Sequence, residues 1–201
     1  MKSDAVAFGI AGILFGLIAG WIIGSQQAAG RPPAAAVAQA PASGAAATTR
    51  AAVLDETQVT ALKTVAERET TNATPRAQLG NLYFDAERYD DAIKWYSDAL
   101  KLAPKDVNVS TDLGVSYYYS NQPDKALAQF DTSLKLDPKH AKTLLNVGIV
   151  KAFGKQDLEG AEAAWKQVIA IAPDAPEGQA AKRALDSLTS AHAGVGKKPG
   201  V

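Results

Sequence analysis

The sequence predicts an all-α solenoid of helical repeats, and the main observation is a motif that returns at a fixed period. Gly80, Gly114 and Gly148 follow one another at intervals of 34 residues, each next to an aliphatic residue. In each copy a small residue, an aromatic residue and a proline follow in the same order. Self-similarity at this period is typical of helix pairs that bury their apolar faces only by stacking on their neighbours. The later residues of the motif are Ala92, Tyr96 and Pro104, then Ala126, Phe130 and Pro138, and, after one inserted residue, Ala161, Trp165 and Pro173.

The second observation is an apolar segment near the start of the chain. Residues 5–24 form a run of twenty residues without a charge. At about 1.5 Å per residue a helix of this length spans roughly 30 Å, the thickness of a hydrocarbon core. We therefore expect an N-terminal transmembrane helix at 5–24, preceded by a short head at 1–4. A cleavable signal peptide, cut at 28–30 or 38–40, is the competing interpretation, and a buried soluble helix is a third. The apolar part of a signal peptide is normally about 7–15 residues long behind a basic start, which this run does not match.

Four glycines in the apolar run are spaced by four residues and give three overlapping G-x-x-x-G motifs. Small residues at this spacing let two helices pack closely in lipid, which predicts homodimerisation or docking against a partner's membrane helix. The alternative is that glycine is simply common in membrane helices. The glycines are Gly12, Gly16, Gly20 and Gly24.

The charges around the apolar run predict its orientation. Lys2 precedes the run, and no positive charge follows it until Arg31, which favours a cytoplasmic start. The alanine-, glycine- and proline-rich composition suits a bacterial chain. We therefore expect a single-pass protein of the bacterial inner membrane with its repeats in the periplasm.

Two segments lie between the apolar run and the repeats. Residues 25–54 are rich in alanine, proline and glycine and carry no periodic pattern, which predicts a flexible linker. Residues 55–72 look like half a repeat, because Leu62 and Val65 lie 34 residues before apolar positions of the first full repeat. We expect this half-repeat helix to stack on that repeat.

Each residue of the motif has a physical explanation. A glycine in the middle of a helix costs about 1 kcal/mol relative to alanine, so we expect it to let the second helix of the repeat approach closely. The alanine of the second helix is the expected matching small surface. The aromatic residue is expected to fill the wedge between one repeat and the next. The proline ends the second helix, because it lacks a donor and clashes with the preceding turn.

These residues resemble the tetratricopeptide repeat (TPR) family, whose unit is a helix-turn-helix of 34 residues. The resemblance covers about half the chain and implies three repeats, at 73–106, 107–140 and 141–175. In the third repeat Lys151 replaces an aromatic residue and one residue is inserted. We place the insertion in the turn at 154–160 and expect that turn to be longer and more mobile than the others.

A capping helix is predicted after the third repeat, at 176–192, with a disordered tail at 193–201. Pro176 can begin the helix. Its apolar residues recur at helical spacing and form one stripe, whereas Lys182, Arg183 and Asp186 are expected to face water. The stripe consists of Ala180, Ala181, Ala184, Leu185 and Leu188.

Composition argues against several classes of function. Twenty-one basic and twenty-one acidic side chains cancel, so no electrostatic footprint for nucleic acid is present. His140 and His192 lack partners at ligand spacing, and we expect surface residues there and no metal site. No phosphate loop, nucleophile elbow or catalytic triad is recognisable. We therefore expect no enzyme activity, no cofactor and no catalytic residue.

The remaining function is recognition of a protein or peptide. The TPR resemblance implies that the first helix of each repeat lines a concave groove. Within the run Tyr117–Tyr119 the first tyrosine takes the packing position, so at 100° per residue Tyr118 or Tyr119 must point into the groove or towards a neighbouring helix. Packing against adjacent repeats alone is the alternative. The implied groove residues are Asn81, Phe84, Asn108, Thr111, Val115, Tyr118, Tyr119, Lys142, Leu145, Asn146, Ile149 and Phe153.

One known TPR binding mode can be compared residue by residue. Members that clamp a C-terminal carboxylate use Lys and Asn in the first repeat, Asn in the second, and Lys and Arg in the third. Here Asn81 and Lys142 match, whereas Ala77, Asp112 and Asn146 replace the other three. An acid in the middle argues against a carboxylate clamp. The mixed aromatic, aliphatic and amide surface suits an extended segment or an amphipathic helix.

The sequence therefore predicts a membrane-tethered adaptor or scaffold that binds a protein client through its concave groove. Its layout is similar to that of bacterial TPR proteins in cytochrome c maturation and envelope assembly. The alternative is a structural subunit of a membrane complex, recognised through its glycine-rich transmembrane helix.

Overall fold

The computed structural model describes residues 53–195, which fold into helices joined by short turns. Helices that follow each other in sequence pack on each other, and the helices Val107–Tyr119 and Pro176–Val195 both contact the helix Ala141–Ile149 as well. The prediction of an all-α solenoid of stacked helix pairs is confirmed. The helices are α1 Glu56–Arg68, α2 Thr74–Asp85, α3 Tyr89–Leu102, α4 Val107–Tyr119, α5 Pro123–Leu136, α6 Ala141–Ile149, α7 Leu158–Ile171 and α8 Pro176–Val195.

Helix α1 begins at a side-chain cap. The carboxylate of Asp55 accepts hydrogen bonds from the backbone N–H groups of Thr57 and Gln58, at 3.0 and 3.1 Å. Such a cap satisfies donors that have no partner inside the helix and contributes about 1 kcal/mol. The cap explains why the helix starts directly after residues 53–55, which are not helical.

Helix α1 stacks on α2, as the half-repeat predicted. Its Val59 is buried in one apolar cluster with Leu79 and Tyr83. The predicted register is wrong in part: Leu62 packs against this cluster, but 38% of Val65 is exposed. The guanidinium of Arg76 joins the two helices by donating to the carbonyl oxygen of Ala66 at 2.9 Å.

The glycine in the first helix of each repeat allows a close approach, but the group that approaches is the aromatic ring. A Cβ atom on Gly80 would lie 2.5 Å from the ring of Tyr96, and Gly114 and Gly148 would clash in the same way with Phe130 and Trp165. Because a real Cβ atom never lies so near, these positions admit glycine alone without repacking. The aromatic residue, expected to fill the wedge between one repeat and the next, fills the space over the glycine of its own repeat.

The second helix of each repeat ends two residues before a proline. Helices α3, α5 and α7 end at Leu102, Leu136 and Ile171. The prolines that follow, at 104, 138 and 173, cannot continue a helix because they have no N–H to donate.

The turn inside each repeat has the same conformation. Glu87, Asn121 and Gln156 adopt φ angles of 57°, 59° and 57°, in the left-handed region that costs residues with a side chain about 1–2 kcal/mol. Each of them precedes the alanine of the second helix by the same number of residues. The turns of all three repeats therefore have equal length from this point on.

The extra residue of the third repeat lies in the helix and not in the turn. After α6 the chain forms a π-helical turn over Val150–Gly154, in which the Lys155 N–H donates to the Val150 carbonyl oxygen at 3.0 Å. A π-helical turn absorbs one inserted residue while the helix continues. The expectation of a longer turn at 154–160 is therefore wrong.

Helix α8 covers the end of the array. Its residues Ala180, Ala181 and Ala184 are buried, and it packs against α6 and α7. The polar residues of the predicted wet side are exposed. The helix runs to Val195, beyond the predicted end at 192.

Candidate functional site

The candidate site is the set of twelve predicted groove residues together with the neighbouring acids Asp85 and Asp112, a set we call the inner face. Its residues come from α2, α4, α6 and the π-helical turn. Of the twelve, seven are exposed or half-buried and five are buried. The accessible ones are Asn81, Phe84, Asn108, Tyr118, Tyr119, Lys142 and Phe153.

The five buried residues are a correction to the predicted groove. Helix α6 contacts α4 and α8 as well as its neighbours in sequence, and positions that the resemblance assigned to a client are covered. In this structure their side chains offer no surface to a ligand. They are Thr111, Val115, Leu145, Asn146 and Ile149.

Specific contacts explain the burial of three of these residues. Val115 belongs to an apolar cluster with Phe130 and Val150. The hydroxyl of Thr111 lies 2.7 Å from that of Thr143 on α6. The amide of Asn146 donates to the Lys142 carbonyl oxygen at 2.8 Å within its own helix, and its side chain is buried.

Four aromatic rings meet between the first two repeats. The ring of Tyr119 stacks on Tyr89 with centroids 5.0 Å apart and meets Phe84 edge-on at 5.5 Å. Tyr118 meets Tyr119 edge-on at 5.7 Å. Such pairs contribute about 0.5–1.5 kcal/mol each beyond the area they bury. The sequence did not single out Tyr89, because its position at the start of α3 gives no sign of an aromatic partner.

Tyr118 also lies against the third repeat. A Cβ atom on Gly154 would be 3.1 Å from the Tyr118 ring and 3.0 Å from Pro123, so the π-helical turn fits closely against the second repeat. Both tyrosines therefore pack against neighbouring repeats, and both keep part of their surface exposed.

The one cation of the inner face is paired. The ammonium of Lys142 lies 2.7 Å from a carboxylate oxygen of Asp112, and the two side chains are only 24% and 17% exposed. In a carboxylate clamp, this lysine would have to bind the carboxylate of the client. Its partner Asp112 is the acid that stands where clamp-forming members have asparagine.

Amide groups remain at two positions of the inner face. The side-chain amide oxygen of Asn81 accepts a hydrogen bond from the Tyr96 hydroxyl at 2.7 Å. Within the described residues the Asn81 amide nitrogen donates to no partner, and Asn108 is exposed. Both amides can therefore serve as donors to a peptide carbonyl group.

Electrostatics distinguish Asp85 from the paired Asp112. The Asp85 side chain makes no hydrogen bond or ion pair within residues 53–190. Burial raises the pKa of Asp85, and the charge of Asp112 raises it further. Burial likewise raises the pKa of Tyr96, followed by the charges of the same two acids. The inner face is therefore short of positive charge at this point.

A chain of hydroxyl groups connects α4 to the start of α6. The Thr111 hydroxyl donates to the Val107 carbonyl oxygen at 2.7 Å and lies 2.7 Å from the Thr143 hydroxyl. The Thr143 hydroxyl in turn is hydrogen-bonded to Nδ1 of His140 at 2.7 Å. His140 is half-buried, whereas the sequence predicted a surface residue.

The remaining predicted sites lie elsewhere. The segment 5–24 with Gly12, Gly16, Gly20 and Gly24, most of the linker 25–54 and the tail from 196 are outside the described residues, as is the side chain of His192. Among residues 53–195 no helix is long and apolar enough to cross a membrane. In the same part of the chain no group of three histidine or acidic side chains could hold a metal ion.

Comparison with family models identifies the repeats. A model described as TPR repeat matches residues 80–120, and a model described as tetratricopeptide repeat matches residues 109–140. Residues 80–140 therefore match tetratricopeptide repeats. No curated protein matches the chain by sequence.

Solved structures show the same fold. The first TPR domain of Spaghetti (RPAP3), bound to the HSP90 peptide SRMEEVD, is 24% identical with a TM-score of 0.54, over 61% of this chain and 94% of that one. The crystal structure of MamA is 17% identical with a TM-score of 0.55, over 70% and 90%. The TPR domain of Arabidopsis OM64 is 16% identical with a TM-score of 0.51, over 56% and 93%. At these identities the likeness concerns the fold alone.

Proposed function

We propose that this protein is a membrane-tethered TPR adaptor that holds an extended segment of a client protein along its inner face. The observation that carries the proposal is the pair of accessible amides on neighbouring first helices, Asn81 and Asn108, on a face that also carries half-buried aromatic rings. Amide donors recognise backbone carbonyl groups in any sequence, and rings supply apolar contact area at low entropic cost. The related RPAP3 domain, whose structure holds a peptide, supports this use of the fold.

The tether is the second part of the proposal. The uncharged run at 5–24 supports an anchor in a bacterial inner membrane, and the charge distribution supports a periplasmic repeat domain. A domain held near a membrane surface by a linker is suited to assembling an envelope or membrane complex, as in cytochrome c maturation. No catalytic step is part of this function.

A structural subunit is the second candidate. The burial of Thr111, Val115, Leu145, Asn146 and Ile149 favours it, because it leaves a smaller open surface than the groove that the sequence predicted. In that case the glycines of the apolar run make the main contact and the repeats act as a spacer.

Crosslinking and pull-down from native membranes separate the two candidates. The first variant combines Asn81→Ala with Asn108→Ala, which removes both amide donors and adds no charge to the inner face. The second variant combines Gly16→Leu with Gly20→Leu. Loss of specific partners in the amide variant alone supports the adaptor. Loss in the glycine variant alone contradicts the adaptor and supports the structural subunit.

The exposed Gln179→Ala on α8 is a matched control for the amide variant, since it removes an amide away from the inner face. Far-UV circular dichroism establishes that each variant keeps its helices. An effect of the control equal to that of the amide variant would show that the inner face is not the contact surface.

A further inference from the structure

We infer that Asp112 determines the specificity of the inner face: by pairing with Lys142 it excludes client segments that present a carboxylate and selects segments that present a basic side chain. The inference rests on the proposed function, since it names the chemistry of the client that the inner face holds.

The ion pair of Lys142 with Asp112 joins two repeats. The Lys142 and Asp112 side chains meet at 2.7 Å across the junction between the second and third repeats and are both largely covered. A pair in this position is screened less than one on an open surface. The ammonium of Lys142 is therefore neutralised where it would otherwise attract an acidic client.

The inner face carries more negative than positive charge. The charged side chains of the inner face are Asp85, Asp112 and Lys142, two acids and one base, which leaves one negative charge. Asp85 lies near enough to Asp112 to feel its charge and makes no ion pair within the described side chains. An incoming carboxylate meets repulsion from Asp85, whereas an ammonium or guanidinium group gains a partner.

Asp112 also affects which client segment the inner face accepts. A protein can choose its partner by an interaction that is unfavourable for the wrong one. Asp112 has this effect on any acidic segment, because such a segment must either break the Lys142 pair or approach a second acid. A single exchange of Asp112 for the isosteric asparagine should reverse the preference.

The test measures peptide binding to the full 201-residue chain in mild detergent by fluorescence anisotropy. One probe is SRMEEVD, the peptide held by the RPAP3 domain. The second probe is its basic counterpart SRMKKVN with an amidated C terminus. We expect the wild type to prefer the basic probe. Asp112→Asn should bind SRMEEVD on the order of tenfold more tightly than the wild type does, because a charge-assisted hydrogen bond to Lys142 becomes available.

Controls assign the effect to the pair. Asp131→Asn removes an acid that pairs with Lys135 on the exposed side of α5 and should change neither affinity. Adding Lys142→Gln to Asp112→Asn should abolish the gain for SRMEEVD. Lys142→Gln alone, which frees Asp112, should strengthen binding of the basic probe and serves as the second variant if Asp112→Asn does not fold.

The outcomes are distinct from those of the pull-down experiment. The inference is overturned if the wild type binds SRMEEVD as tightly as Asp112→Asn does, or if Lys142→Gln leaves the basic probe unaffected. The first of these results would still be compatible with an inner face that binds peptides. Loss of clients in the amide variant tests the proposed function alone.

Discussion

The two junctions between the three repeats are built from different chemistry. Aromatic rings close the first junction, where Tyr119 of the second repeat lies between Phe84 and Tyr89 of the first. At the second junction polar groups link α4 to α6, through the hydroxyls of Thr111 and Thr143 and through the pair of Lys142 with Asp112.

The two junctions should therefore differ in how they respond to pH and to a charged client. Burial raises the pKa of Tyr89 to about 12, with a further contribution from the charge of Glu87, and burial raises the pKa of Tyr119 as well. Both tyrosines of the first junction therefore stay uncharged at any physiological pH. The second junction contains His140, whose pKa is lowered by burial, and an ion pair with which a charged client can compete.

The largest expected effect comes from Tyr119→Ala, which removes the central ring of the first junction. Loss of a well-packed aromatic side chain costs about 3 kcal/mol of unfolding free energy. Urea denaturation followed by circular dichroism measures it. Tyr119→Phe keeps the ring contacts and should cost less than about 1 kcal/mol. Equal losses in the two variants would show that the hydroxyl, and not the ring, holds this junction.

Thr143→Val is expected to have an intermediate effect on the second junction. The exchange keeps the shape of the side chain but deprives Thr111 and His140 of a hydrogen-bond partner. A buried polar group without a partner costs about 1–3 kcal/mol. The same denaturation experiment applies. Thr132→Val, which loses only an exposed bond to the Ala128 carbonyl oxygen, should be nearly neutral, and a comparable loss there would contradict this account of the junction.

The framework of both junctions could be predicted from the sequence. The recurrence of glycine, aromatic residue and proline depends on local helix geometry, which the period of the motif expresses directly. The predicted register of the half-repeat helix and the predicted end of the capping helix were less accurate, as the exposed Val65 and the helix end at Val195 show. Helix ends and registers depend on neighbours that the period does not specify.

The side-chain partners at the junctions could not be predicted in this way. The position of Thr111 and Leu145 in the repeat assigned both to a groove, although contacts in three dimensions bury them. The insertion in the third repeat was visible as one extra residue, but the sequence did not show that it lies in a π-helical turn, next to the close approach of Gly154 to Tyr118. Both features follow from contacts between repeats, and a pattern within one repeat contains no information about them.

A smaller effect is expected at the turns, which the repeats share. Glu87→Gly and Gln156→Gly relieve a left-handed backbone that costs about 1–2 kcal/mol, offset in part by the extra freedom of glycine in the unfolded chain. We expect each to raise the unfolding free energy by about 0.5 kcal/mol. Asn121→Gly should gain less, because asparagine tolerates this conformation. A gain at one turn only would mean that the repeats differ in the backbone strain of their turns as well as in the side chains at their junctions.

The smallest effect concerns pH, and it should appear at the second junction alone. Burial lowers the pKa of His140 below 6.5, and Lys142 acts in the same direction, against the opposing charges of Asp137, Asp112 and Glu177. The folded state therefore binds fewer protons than the unfolded state near pH 6, so stability is full above about pH 6.5 and falls as the pH drops below that value. His140→Asn should flatten this slope between about pH 7.5 and 5.5 in denaturation curves, whereas Tyr119→Phe at the first junction should leave it unchanged. A slope that persists in His140→Asn would assign the sensitivity to another group, and the contrast between the two junctions would then rest on packing alone.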